Sequence, residues 1–357
     1  MLRNEDLKAA VEAGVITAEQ QAALEKQAAG RRAARPMVAG RDERFRFLRG
    51  FNDVFLALGV VLVTAAFLTQ WSPSMGSDSV VLLVGAAALW AISEVLVARY
   101  KAVLPGMAAV LGIGLLISLA AAEWAIVSGV DRFIPGAPTT KQNVWNYPFG
   151  VWFAGVGAGG FAILLYYLRF RLPFALFPLC IGFIFSVLLG IVHRFGFETT
   201  QFLINCTALL LGLATFVLAM RFDSSDPERL TRRSDCGFWL HLAAAPFIVH
   251  PVVSMLSKGE SSVAALVTIA VVVVLGIIAL IVDRRALLVS SLSYFGLAVG
   301  YLVHSTNGRM ESSVTLTLGL LGAFVIVMGL GWHRLRGLIL KPFAGAGWLA
   351  KLPPVQA

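Results

Sequence analysis

The chain has 357 residues, of which 58% are apolar and 14% charged, with a mean hydropathy of +0.80. Soluble domains carry about 25% charged residues, so the composition excludes an ordinary soluble protein and predicts an all-α fold, a polytopic membrane helical bundle. The formal net charge of +9 could favour nucleic acid, but in a membrane protein it more often places Lys and Arg beside anionic lipid.

The first 30 residues predict a small cytoplasmic head of two short helices. Asn4 can cap the first helix and Gly14 can end it, and Thr17 forms a capping box with Gln20 at the start of the second. The stretch lacks an apolar core behind a basic patch, so we expect no cleavable signal peptide. A separate head at residues 1–30 is also a candidate site for a protein partner.

Residues 31–50 form a basic linker between the head and the first apolar run. Because the linker ends directly at a membrane span, Arg44, Arg46 and Arg49 are predicted to contact anionic lipid headgroups. Nucleic-acid binding is the alternative that the charge alone would permit, and the same position argues against it. We therefore expect the lipid bilayer and its anionic headgroups as partners, and no nucleic acid.

Ten apolar runs approach the 20 or so residues with which a helix crosses a bilayer core about 30 Å thick. Several end near tryptophans, as is typical of interfacial anchors: Trp71, Trp124, Trp145, Trp239 and Trp332. The ninth run, Ala286 to Val303, is the shortest and carries several serines, and without it the C-terminus would change sides. The predicted spans lie near residues 51–71, 79–98, 102–122, 148–168, 172–192, 200–220, 237–256, 263–282, 286–303 and 313–332, in a bundle of residues 51–336 with a tail at 337–357.

The basic residues predict which ends of the spans face the cytoplasm. With the N-terminus inside, strict alternation places all of the 29 Lys and Arg residues inside except Arg132, Lys141, Arg194, Lys258 and Arg309. The positive-inside rule therefore predicts that both termini are cytoplasmic. A missed pair of helices would leave this pattern unchanged.

Three short inside loops resemble one another: LVARYKAVLP at residues 96–105, YLRFRLP at 167–173 and IVDRRALLV at 281–289. They can mark a repeated helical hairpin, or they can reflect the basic composition of any short inside loop. Ten spans also divide as five plus five, and an odd-numbered half gives the inverted repeat common in transporters. The two halves show no convincing sequence similarity.

Ionisable residues inside spans are costly, at roughly 2.5–3.5 kcal/mol each near the helix centre, which makes them candidate functional groups. Asp53, Glu94 and His241 are predicted at one depth near the cytoplasmic boundary, where they can converge on a polar cavity. Each also has a structural explanation. Asp53 suits the first turn of a helix, and Glu94 can pair with Arg99 or reach water. His241 can hydrogen-bond a carbonyl in the core.

The seventh span is unusual because His250 falls near mid-membrane between Pro246 and Pro251. Two prolines remove helical hydrogen bonds and predict a kink. A titratable histidine in such a helix suits a proton- or ion-coupled site. The alternative is a kinked packing helix with a buried neutral histidine. Nine residues at about 100° each place His241 and His250 on opposite faces, so a shared metal site is not expected.

The fourth span contains a glycine-rich run at residues 153–160, in which Gly155 and Gly159 form a GxxxG motif. This motif predicts close packing against a neighbouring helix. A phosphate-binding loop is the alternative, but no strand precedes the run and no acidic partner follows it.

The head and one later stretch resemble a family of uncharacterised bacterial inner-membrane proteins, in which a short helical head precedes a multi-pass bundle. The matching residues are Leu7, Gly14, Val15, Ile16, Thr17, Glu19 and Gln20, together with the stretch from Phe238 to Pro251. The resemblance implies a bacterial inner-membrane location and nothing about chemistry.

No catalytic constellation is evident, because HExxH, GxSxG and suitably spaced paired carboxylates are absent from the sequence. The cysteines, Cys180, Cys206 and Cys236, show no CxxC or Cys/His spacing, so no metal and no cofactor are expected. Two functions remain. A transporter or channel for a small solute or ion would explain the polar groups of the seventh span. A scaffold or regulatory protein would explain the separate head.

Overall fold

A computed structural model describes part of the chain in detail. The described residues are 11, 13–21, 51–69, 79–127, 149–195, 200–229, 231–256, 262–307, 310–343, 346–347, 349 and 352–353. They contain helices and turns and no strand. The headgroup contacts predicted for Arg44, Arg46 and Arg49 lie outside these residues.

The described residues contain ten long apolar spans, each long and apolar enough to cross a bilayer, which confirms the predicted all-α membrane bundle. The ninth, which was the weakest prediction, is a helix of 22 residues. The helices are α1 Phe51–Leu68, α2 Ser79–Ser93, α3 Val103–Val127, α4 Phe149–Phe170, α5 Leu176–Phe195, α6 Gln201–Ser224, α7 Arg232–Leu256, α8 Ser262–Val282, α9 Ala286–Asn307 and α10 Met310–Leu340. The second span is completed by a π-helical segment at Glu94–Arg99, which continues α2 so that the span covers Ser79–Arg99.

Helix α7 begins five residues before its predicted start at residue 237, because polar caps hold its charged first turn. The Thr231 hydroxyl oxygen accepts the Arg233 N–H at 3.2 Å, as an N-cap does. Asp226 then fixes the cap, since its Oδ2 accepts the N–H and the O–H of Thr231 at 2.9 and 2.7 Å. Apolar run length could not place this boundary.

The described residues of the bundle pack around three apolar centres, of which the smallest joins α5, α6 and α7 through Ile184, Ala208 and Phe247. The first is formed by α1 to α4 together with the turn at Pro173–Ala175, and the second by α6 to α10. Helix α7 is the most buried span and α10 the least. Trp239 of α7 reaches the first centre, where its ring lies 4.8 Å from that of Phe174. It is therefore a packing residue, not only an interfacial anchor.

The three similar loops share a backbone feature. Each contains one left-handed residue just after a helix: Lys101 at φ 56°, Arg171 at φ 52° and Asp283 at φ 59°. A residue in this conformation lets the next amides close the helix end, as in the bond from the Arg284 N–H to the Ala279 carbonyl at 2.9 Å. Ordinary helix ends also use this geometry, so hairpin duplication stays a hypothesis.

The head forms a unit separate from the bundle. Its capping box is present, because the Thr17 N–H donates to Oε1 of Gln20 at 2.9 Å and the Gln20 N–H donates to Oγ1 of Thr17 at 3.2 Å. Gly14, three residues before Thr17, adopts φ +70°, where a residue with a side chain would be strained.

Helices α3 and α4 approach closely at the GxxxG motif. A Cβ at Gly155 would lie 2.8 Å from the Ser118 carbonyl oxygen and 3.2 Å from the Ala122 Cβ. A Cβ at Gly159 would lie 2.6 Å from the carbonyl oxygen of Gly114. Both glycines are buried, so the close α3–α4 contact requires a residue without a side chain at each position.

Gly155→Ala is expected to lower the free energy of unfolding by about 1–3 kcal/mol, because the new methyl group overpacks the α3–α4 contact. The matched control is Gly157→Ala on the same helix. Gly157 is exposed, and nothing lies within 4 Å of the position that a methyl group would take there, so alanine should be neutral or stabilising. Unfolding in mixed micelles measures both, and equal effects would contradict the packing account.

Candidate functional site

The described residues contain a set of buried charged side chains at one end of the bundle, where α6 and α10 end, α7 begins and α8 turns into α9. We call this set the ionic cluster. Each member is at most 8% exposed, and His241 is fully buried. The ionic cluster consists of Asp223, Asp226, Arg229, His241, Asp283, Arg284 and Arg336.

The Asp223 carboxylate, near the end of α6, is shared by two partners from different elements. Its Oδ2 accepts a hydrogen bond from Nε of Arg284 at 2.9 Å, and Nη2 of the same guanidinium donates to Oδ1. His241 of α7 places Nε2 at 2.9 Å from Oδ2. This bidentate arginine contact with an added imidazole satisfies both oxygens in a site that water does not reach.

The first turns of α7 complete the surroundings of this pair. Nη2 of Arg284 also donates to the carbonyl oxygen and the hydroxyl oxygen of Ser234, both at 3.0 Å. Gly237 leaves the space that the carboxylate occupies, because a Cβ there would overlap Oδ1 of Asp223 and lie 3.0 Å from its Cγ. The start of α7 is therefore shaped around a side chain of α6.

Asp283 organises the outer part of the ionic cluster. Its Oδ1 accepts the indole N–H of Trp332 at 2.7 Å, and its Oδ2 pairs with Nη1 of Arg229 at 3.1 Å. Arg229 also donates through Nη2 to the Asp283 carbonyl at 2.5 Å. An aspartate tolerates the left-handed backbone at this position better than a bulky residue does, and its carboxylate joins the loop after α6 to α10.

Arg336 links the end of α10 to α8 and to the C-terminal segment. Its Nε donates to the Leu280 carbonyl at 3.1 Å, and its Nη2 donates to the Pro353 carbonyl at 2.6 Å. The guanidinium lies 3.9 Å from Oδ1 of Asp283, at the long limit of an ion pair. Pro353 is thus held against the same end of the bundle.

The formal charges of the ionic cluster balance when His241 is neutral, since three aspartates face three arginines. An ionised carboxylate only accepts, so Nε2 of His241 must carry the proton that bonds Asp223. Its Nδ1 has no hydrogen-bond partner in the described part of the chain. The ring packs edge-on to Phe216 at 5.1 Å. A second proton on His241 would add an unbalanced positive charge near Arg284.

The residues that were expected to converge on one cavity have different surroundings in the structure. Glu94 pairs with Arg169 of α4 at 2.7 Å instead of Arg99, and the side chains are 35% and 54% exposed. Asp53 is buried in the first turn of α1, a helix that packs against α2 and α3. Of the three, His241 alone belongs to the ionic cluster, so these contacts give the convergence hypothesis no support.

His250 lies on the other half of α7, exposed, and its Nδ1 is hydrogen-bonded to the hydroxyl group of Tyr294 on α9. One turn further on, the Ser254 hydroxyl oxygen accepts a bond from Nδ2 of Asn205 at 3.1 Å. We call these four residues the distal polar set. Asn205 and Asp223 are 18 residues, or about 27 Å, apart along α6, and His250 lies nine residues, or about 14 Å, from His241 along α7.

The helix α7 is not interrupted at Pro246 or Pro251. Pro251 has no N–H, so the carbonyl of Phe247 loses its helical donor. Gly212 of α6 packs directly onto that carbonyl, since a Cβ at Gly212 would lie 2.9 Å from the carbonyl carbon and oxygen. The glycine therefore lets α6 cover a point where α7 lacks a hydrogen bond.

Most of the ionic cluster was not predicted from the sequence, because the positive-inside rule already assigned Arg229 and Arg284 to inside segments. Trp332 was also predicted to be an interfacial anchor, whereas the indole is 1% exposed and bonded to Asp283. The available signal was the presence of acids inside the arginine-rich loops, at Asp223, Asp226 and Asp283. Acidic residues contribute little to sidedness, so they needed another explanation.

No group of three or more His, Cys, Asp or Glu side chains in the described residues could hold a metal ion. Comparison with protein-family models, curated proteins and solved structures finds no match to this chain. The resemblance to a bacterial membrane family therefore stays a prediction. The chain is a multi-pass membrane protein with a buried ionic cluster at one end of its bundle.

Arg284→Met is expected to lower the free energy of unfolding by about 3–5 kcal/mol, because it leaves the Asp223 carboxylate buried without its cation. Adding Asp223→Asn should recover part of that loss, since the orphaned charge is then removed. Unfolding in mixed micelles measures the full double-mutant cycle.

The matched control for this cycle is Glu94→Gln, which breaks an exposed ion pair and should cost about 0–1 kcal/mol. Similar losses for Arg284→Met and Glu94→Gln, or strictly additive effects in the double mutant, would contradict a shared buried carboxylate.

Proposed function

We propose that the protein is a proton-linked transporter of a small solute or ion, in which the ionic cluster acts as a gate. The observation that carries this proposal is the Asp223 carboxylate, buried and shared between Arg284 and the titratable His241. The location proposed is a bacterial inner membrane, with both termini and the ionic cluster on the cytoplasmic side. The placement of basic residues supports that orientation.

Buried charges are a poor way to hold a bundle together. Desolvation offsets most of the attraction in a buried ion pair, and apolar residues of similar volume often give equal or greater stability. Ionisable groups at membrane depth are therefore functional candidates by default. His241 lies within the predicted span at residues 237–256, and the other members of the ionic cluster are buried at the adjoining helix ends, where they connect segments that could separate as a unit. These properties favour a gate over a purely structural contact.

His241 gives the gate a physical trigger. Histidine is the side chain that changes charge in the physiological pH range. With His241 neutral the charges of the ionic cluster balance, and Asp223 is held by both partners. A proton on Nδ1 would place a second cation beside Arg284 without adding an acid. Opening the ionic cluster to water would hydrate that charge, so protonation should favour the open state.

The distal polar set supplies groups that could contact a solute on the other side. His250, Tyr294, Asn205 and Ser254 offer neutral donors and acceptors on three neighbouring helices. Between this set and His241, α7 carries mostly apolar residues, including a run of three alanines. Polar groups at both ends of one helix pair, with an apolar section between them, suit a path that opens at one side at a time.

A non-transporting scaffold is the second candidate, and the close packing of α7 favours it. That helix is the most buried span, and His241 at 0% exposure shows no contact with water. In that case the ionic cluster would fix the bundle, and a partner would bind the head at residues 1–30. Deleting residues 1–30 should then remove a co-purifying protein, whereas His241→Gln should not.

The transport proposal predicts that His241→Gln reduces protein-dependent proton movement by roughly tenfold or more. The amide N–H of glutamine can still donate to Asp223, so the fold should be preserved. The measurement is proton entry into proteoliposomes that contain a pH-sensitive dye, under an imposed pH gradient, with the apparent melting temperature as the check on folding.

Arg169→Gln serves as the control in the flux experiment, since it changes an exposed ion pair outside the ionic cluster. Its rate should stay within about twofold of the unmodified protein. Proton entry no faster than in protein-free liposomes, or equal rates for His241→Gln and the unmodified protein, would overturn the proposal.

A further inference from the structure

A groove runs along the side of the bundle between α6 and α8, next to the ionic cluster. Its floor is buried and comes from α7 and α9, with Ala245 and Val249 each 1% exposed and Leu287 7% exposed. Its rims are Leu213 on α6 and Ile278 on α8, which are 43% and 38% exposed. The cavity has a volume of about 90 Å³, and we call it the lateral groove.

The lateral groove is a site for an apolar occupant, because all of its lining side chains are hydrocarbon. A dry apolar space does not hold water well, since water there lacks hydrogen-bond partners. An empty groove would also forfeit the dispersion contacts of its walls. The rim residues belong to the surface of a membrane-spanning bundle, so the material within reach of the opening is lipid hydrocarbon.

Arg221 lies on the same face of α6 as the rim residue Leu213. Leu213, Val217 and Arg221 follow one another at four-residue spacing on α6, and all three are exposed. Residues at this spacing share one helix face, so Arg221 lies about 12 Å from Leu213, toward the end of the bundle that holds the ionic cluster. A guanidinium near a helix end is suited to a lipid phosphate.

We propose that the lateral groove binds an acyl chain of an anionic phospholipid whose phosphate pairs with Arg221. The apolar floor accounts for the chain, and the exposed arginine on the same helix face accounts for the charge of the headgroup. This inference does not depend on transport activity, and it concerns a site apart from the arginine-rich linker.

An occupied lateral groove would act on the ionic cluster through two neighbours. Phe216 lines the groove and packs against the His241 ring at 5.1 Å. Ala245 of the floor lies one turn after His241 on α7. A chain in the groove would press on both and hold α7 against α6, so bound lipid should stabilise the closed arrangement of the ionic cluster.

The test is native mass spectrometry of the full chain in detergent, titrated with phosphatidylglycerol or with phosphatidylethanolamine of the same chain length. The unmodified protein should retain phosphatidylglycerol with at least roughly fivefold higher apparent affinity. Ile278→Trp fills the opening from an exposed rim, where a large side chain is tolerated, and should lower that affinity roughly fivefold. Arg221→Gln should remove the preference for phosphatidylglycerol.

Two controls match these variants. Val263→Trp adds the same side chain at an exposed position near the other end of α8, and Arg194→Gln removes an exposed arginine at the end of α5. Both should leave the apparent affinity within about twofold. Ala245→Leu, which fills the groove from its floor, is the second variant, and its folding is checked by its melting temperature.

Three outcomes would overturn the proposal. Equal retention of the two phospholipids would remove the role of Arg221. Unchanged lipid affinity in Ile278→Trp would show that lipid binds elsewhere. A dimer that Ile278→Trp dissociates, or a retained mass that is not a phospholipid, would assign the lateral groove to a second copy of the chain or to an apolar solute.

Discussion

The second half of the bundle depends on neutralising one buried carboxylate, that of Asp223, which is 3% exposed. Asp223 comes from α6, its cation Arg284 from the turn between α8 and α9, and its imidazole partner His241 from α7. A buried charge that loses its partner costs several kcal/mol, so none of these segments can move independently of the others. Gly237 leaves room for the Asp223 carboxylate, and the Ser234 carbonyl accepts a hydrogen bond from Arg284. The constraint explains why α7 is the most buried span.

A second set of contacts connects the Asp223 site to the end of α10. Asp283 directly precedes Arg284 and connects it to Trp332, while Arg336 carries the contact on to the segment at Pro353. Any rearrangement at Asp223 would therefore change contacts at the end of α10, which is the least buried span. In the proposed mechanism this arrangement lets a proton on one ring change the packing of several helix ends, as two-state gating requires.

The sequence was sufficient for the architecture and insufficient for the site. Run length predicts the ten helices because the bilayer sets the number of residues that a span needs. The ionic cluster is different, because its segments at residues 223–241, 283–284 and 336 lie far apart in sequence and meet only through tertiary packing. The positive-inside rule already accounted for Arg284. Its neighbours in the sequence do not distinguish it from Arg285, which is exposed. His241 was identified as a candidate, yet its partner Asp223 appeared to belong to a solvated loop. The start of α7 was also missed, because Thr231 caps a charged first turn that a hydropathy criterion leaves out of the span.

The most direct test of the gate is the distance between two spin labels across the end that holds the ionic cluster. Ser225, in the loop after α6, and Leu338, on α10, are both exposed and suit labelling in a cysteine-free background. Double electron–electron resonance in lipid vesicles would compare about pH 5.5 with about pH 8.5, on either side of histidine titration. We expect a longer distance at acidic pH, by about 5 Å, and no change with pH in His241→Gln. The same label-to-label distance at both pH values in the unmodified protein would contradict the proposed gate.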